Sequence, residues 1–193
     1  MHICPELNDF LLSFDTLEVL AVKQCWPSLE AIVHHSNLKK LTFHATENRE
    51  RKRHLLDLED LEFLDRMCTG LEFLEIDIRR EDEWPVNIIA VLARGFANLR
   101  ELRFHVGLDI HRGNIEPTLT KITANEFVEV LLCHRLSTSK LKRVILKTGE
   151  NLRDFRDVKP RYAREEEDCA AEFEIRAPHD GIGEWVVEER TIE

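Results

Sequence analysis

A short pattern, Leu-x-x-Leu-x-apolar, recurs along this chain and limits what it can fold into more than any other feature. It occupies Leu17-Leu20-Val22, Leu38-Leu41-Phe43, Leu71-Leu74-Ile76, Leu99-Leu102-Phe104 and Leu141-Val144-Leu146. In each copy the last two apolar positions stand two residues apart, the period of a strand with one buried face. One strand cannot bury that face alone, so the copies must stack and share a core. The leading residue advances by 21, 33, 28 and 42 positions from copy to copy.

Each interval carries a helical pattern. Ser28 stands as a cap before Leu29, Ile32 and Val33. Leu55, Leu58, Leu61, Leu64 and Cys68 recur at three or four residues. Pro85 suits a helix start, with Trp84, Ile88, Val91, Leu92 and Phe96 as its apolar set. Thr123-x-x-Glu126 predicts a capping box ahead of Phe127, Val130 and Leu131. Residues 6–14 predict a short helix that covers the first strand. Alternating strands and helices with right-handed crossovers make the strands parallel. The expected fold is α/β: a curved solenoid of about five irregular repeats over residues 1–150, strands concave and helices convex. Residues 151–193 follow as an acidic linker and a cap. In the cap, Phe173 and Ile175 alternate with polar residues, a turn lies at Asp180-Gly181-Ile182-Gly183, and Trp185 and Val187 predict a second strand.

At these same residues the chain resembles a known family. Leu17-Glu-Val-Leu-Ala-Val-Lys-Gln-Cys25 follows the leucine-rich-repeat consensus, and Cys68-x-x-Leu71-x-x-Leu74-x-Ile76 is similar to the cysteine-containing variant of F-box proteins. The irregular repeat lengths and the Asn37-Leu38 and Asn98-Leu99 openings resemble fungal F-box-associated leucine-rich-repeat proteins. The resemblance covers residues 6–150. The repeat's Asn/Cys position instead holds Thr46, Arg79, Gly107 and Gly149 in later copies, and no F-box is expected ahead of the repeats. What the resemblance implies is the substrate-recognition part of a ubiquitin-ligase subunit.

Composition excludes several classes. A net charge of −10 argues against a general nucleic-acid binder, which needs a basic face. No apolar run approaches the length of a membrane span, and the first residues lack a signal-peptide pattern. Five cysteines with no C-x-x-C pair predict a reduced, intracellular protein, cytoplasmic or nuclear. The basic run 49–54 reads as a solvated loop.

No Gly-x-Ser-x-Gly, Walker A, His-Glu-x-x-His or EF-hand pattern is present, so no catalytic residue and no cofactor is expected. His34, His35 and His44, and Cys133 with His134, lack a second pair at zinc spacing, so no metal is expected either. Cys68, at a repeat position, is expected to be buried packing. The residues between the apolar strand positions point outward. They form a stripe of Lys40, His44, Phe73, Glu75, Asp77, Glu101, Arg103, His105, Arg143 and Lys147, with Ile145 also exposed. On strand alternation alone, Glu75→Ala is nearly silent. The stripe predicts a non-enzymatic module for a protein or peptide partner. The alternatives are a vestigial repeat protein without a dedicated partner and, more remotely, an enzyme with an unrecognised site.

Overall fold

The structure, a computed structural model, describes residues 5–23, 26–45, 55–80, 83–106, 119–148, 171–178 and 183–190. Within them the chain runs α1 (Pro5–Leu12), β1 (Val19–Lys23), α2 (Leu29–Val33), β2 (Lys40–His44), α3 (Leu58–Met67) and β3 (Phe73–Ile78). It continues through α4 (Val86–Arg94), β4 (Glu101–Val106), α5 (Lys121–His134), β5 (Arg143–Thr148), β6 (Ala171–Arg176) and β7 (Val186–Arg190). The basic run 49–54, the connection 107–118 and the acidic segment 151–170 lie outside the described residues.

All seven strands form one sheet in sequence order; β1 to β5 are parallel, and β6 and β7 are antiparallel additions. The leucine pattern sets the register. Leu20, Leu41, Leu74, Leu102, Val144 and Ile175 align across the sheet, as do Val22, Phe43, Ile76, Phe104, Leu146 and Phe173. These two inward rows are buried, and with the helices they form one continuous core. The leading leucines repeat a local device as well. Leu38, Leu71 and Leu99 each donate a backbone bond to the carbonyl three residues earlier, closing a tight turn into the strand. Asn98 reinforces this corner, its Nδ2 donating to the Thr69 carbonyl at 2.8 Å and its Oδ1 accepting from Lys140.

The helices start where short polar side chains can cap them. Ser28 Oγ accepts from Ala31 N in α2, and Asp57 and Asp60 form a reciprocal capping box on α3. Two local expectations are corrected. The capping box of α5 is Thr120 with Thr123, one turn ahead of the expected Thr123-Glu126 pair. Either threonine has the right side chain. Trp84 donates its indole N–H to the Thr123 carbonyl at 2.8 Å, which ties this first turn to the residue ahead of α4. In α4, Ile89, Leu92 and Ala93 are the buried residues, whereas Ile88 and Val91 are only partly covered. Trp84 precedes this helix and packs edge-on against Phe127 instead of belonging to its stripe. Cys68 is buried and caps α3, as the repeat position requires; burial pushes its thiol up to about 11, so it packs and does not react.

Candidate functional site

Every inward residue leaves its neighbours facing the other way, so the outward side of the sheet is also laid out in rows. The first row aligns Val19, Lys40, Phe73, Glu101, Arg143, Arg176 and Val186. The second aligns Ala21, Thr42, Glu75, Arg103, Ile145, Glu174 and Glu188. In the third, Asp77, His105, Lys147, Glu172 and Arg190 align, with Lys23 opposite His44. His44 lies one step past the last backbone pair of β2 and β3, and its side chain joins Asp77 directly.

Two ion-pair networks occupy this face. On β2 to β4, the His44 and Asp77 side chains meet at 2.8 Å (Nδ1 to Oδ1), and Asp77 Oδ2 accepts from Ala45 N at 2.7 Å. Glu75 accepts from Thr42 at 3.1 Å and pairs with His105 Nε2 at 2.7 Å. The His44 and His105 rings stack with centroids 3.7 Å apart. On β4 to β7, Arg143 bridges Glu101 and Glu174, Arg103 pairs with Glu101 at 2.7 Å, and Arg176 and Arg190 converge on Glu174. Lys147 and Arg190 both reach Glu172. Between the networks, the Arg103 guanidinium lies 5.0 Å from the Phe73 ring centroid, a cation–π contact.

These environments set the protonation states. Burial alone would raise Glu75, but the His105 hydrogen bond and charge, with Arg103 and Thr42, hold it down to about 2. Glu174 is also held to about 2, first by the Arg176 hydrogen bond, against the opposing effect of burial, and further by Arg143. Burial lowers His105 despite Glu75, so at neutral pH a neutral imidazole donates to an ionised carboxylate.

The signs combine. Stability from Glu75 and Glu174 is complete above the ordinary carboxylate range and is lost as pH falls toward 2. His105 prefers to be neutral when folded, so acidification below the ordinary histidine range also favours unfolding. Urea midpoints should therefore fall steadily from pH 7 to pH 3. Glu75→Gln should cost about 1.5–3 kcal/mol at pH 7, the usual worth of a hydrogen bond to a charged group, and the gap to wild type should narrow below pH 4. A pH-independent gap would contradict this assignment.

The structure brings the expected stripe residues onto one face but does not leave them equally open. Lys40 is exposed, and His44, Phe73, Glu75, Glu101, Arg103, His105, Arg143 and Lys147 are partly covered. Asp77 is corrected from exposed to buried, at 3%. Both of its oxygens are engaged, one by an imidazole and one by the backbone N–H just beyond β2. Ile145 is corrected likewise, at 2%; in register it lies between Arg103 and Glu174. Sequence reasoning did not include Glu172, Glu174, Arg176 and Arg190 in the face. Their signal was the polar half of the same alternation that marked Phe173 and Ile175 as a strand. Among the described residues no helix is long and apolar enough to cross a membrane.

The fold and this face define a mixed α/β protein with a largely parallel seven-stranded sheet and one charged, outward-facing side. No protein-family model, curated protein or solved structure matches the chain.

Proposed function

We propose that this chain is a non-enzymatic protein-interaction module, a short irregular repeat array that holds a polypeptide segment against the outward rows of its sheet. The observation that carries this reading is the Phe73–Arg103 pair near the middle of that face. An aromatic ring beneath a guanidinium, half-covered on the outward side of the sheet, serves no need of the core. Aromatic and arginine side chains dominate binding hot spots. The rows run across seven strands, roughly 29 Å at the usual strand spacing, which suits an extended segment. Exposed Val19 and Val186 stand at the two ends of the Phe73 row. The β2–β4 network sets the Glu75 and Asp77 carboxylates against imidazoles, and the β4–β7 network sets five basic side chains against four carboxylates, so the two regions differ in sign and favour a segment that carries both. By the resemblance to F-box-associated repeats, the bound segment belongs to a protein selected for ubiquitin transfer.

The test is selection of binding peptides from a random displayed library on the full chain, followed by calorimetry. Phe73→Ala and Arg103→Glu should each weaken the selected peptides by about 30-fold or more, whereas Arg66→Glu on α3 should leave binding unchanged. Undiminished binding by both outward-face variants would overturn the proposal.

A further inference from the structure

We propose that His44, Asp77 and His105 form a binding site for a divalent transition-metal ion, zinc first among them, on the outward face of β2 to β4. A ligating nitrogen from each imidazole and an Asp77 carboxylate oxygen all lie within 4.8 Å of one another. Ligands of a tetrahedral zinc ion, each about 2.0–2.2 Å from the metal, stand roughly 3.3 Å apart. The 2.8 Å His44–Asp77 contact opens by a fraction of an ångström to meet that spacing, and the widest pair closes. Side-chain rotation supplies both movements. The imidazoles stand face to face over the strand that carries Asp77, with centroids 3.7 Å and planes 22° apart, so the rings must splay from this stack for both in-plane lone pairs to meet one ion.

The donor set selects the ion class. Two imidazoles and one carboxylate suit zinc, ferrous iron, nickel or copper, whereas calcium and magnesium favour all-oxygen sites. Three protein ligands leave a coordination position toward water. His44 and His105 retain 15% and 14% side-chain exposure, so an ion can reach them from solvent. The supporting contacts are in place as well. Glu75 holds His105 through Nε2 at 2.7 Å, which leaves Nδ1 as the ligating atom, and Thr42 fixes the other Glu75 oxygen. That carboxylate–imidazole pairing is how metal-binding histidines are commonly oriented. Asp77 is fixed in turn by the Ala45 N–H. No sequence window contains this site, because its residues come from three strands and meet only through the sheet register. Metal binding here stands apart from peptide binding, and either can fail alone.

The test uses the full chain, stripped of metal and titrated with cobalt(II) by visible absorption, then with zinc by competition. One equivalent of cobalt should bind with the bands of a low-coordinate nitrogen–oxygen site, and zinc should displace it. His44→Ala and His105→Ala should each weaken binding by more than about 100-fold, and Glu75→Gln by about 10- to 100-fold. Cys133→Ala and His134→Ala should change nothing. NMR of the wild-type imidazole resonances gives a readout that needs no folded variant: His44 and His105 should shift together over the first equivalent of zinc. Absence of submillimolar binding, shifts confined to other histidines, or wild-type affinity in a folded His44→Ala/His105→Ala double variant would overturn the assignment.

Discussion

Leu74→Ala is expected to destabilise the protein by about 3–5 kcal/mol, a large share of the 5–15 kcal/mol typical of a whole domain. Leu74 is fully buried at the centre of the inward row, paired in register with Leu41 and Leu102. With strands on both sides, the cavity left by three missing heavy atoms cannot collapse easily, which puts the cost in the upper part of the usual range. Urea denaturation checks it, and a near-wild-type midpoint would show that the inward row is misassigned. The neighbouring Glu75→Ala is no longer the silent control that alternation suggested. Glu75 accepts bonds from Thr42 and His105, and its removal strands both partners on a partly covered surface.

Truncation before Ala171 should have a comparably large effect. Phe173 and Ile175 belong to the core and pair with Leu146 and Val144, so the deletion uncovers the inward side of β5. It also opens the β5 edge, a row of unpaired backbone groups prone to intermolecular pairing. Glu174 goes with it, and Arg143 loses one of the two carboxylates that neutralise it. The truncated chain should be aggregated or unfolded at room temperature, seen as void-volume elution in size-exclusion chromatography. A monomeric product with an unchanged urea midpoint would show that β6 and β7 are dispensable.

The sheet was legible because burial has a period. Leu20, Leu41, Leu74 and Leu102 recur with a second apolar residue two places on, and only one register buries all of them. Strand β6 was legible for the same reason, through Phe173 and Ile175, but β7 buries no residue: Val187 is only partly covered, and Trp185, expected within the strand, lies just ahead of it. Local hydrogen-bond choices were less legible. Thr120 and Thr123 are both competent caps, and the side chains alone do not separate them. Alternation told which way Asp77 and Ile145 point but not how much their neighbours cover them. The His44–His105 stack was beyond any local pattern. It depends on β2, β3 and β4 lying side by side with His44 and His105 one strand either side of Asp77.

The outward face as a polypeptide-binding surface is most directly tested by amide chemical-shift mapping of the full chain during titration with a library-selected peptide. The largest perturbations should run across Lys40, Phe73, Arg103 and Arg143 on β2 to β5, with α3 to α5 unmoved. Perturbations centred on those helices, with the outward rows silent, would contradict it.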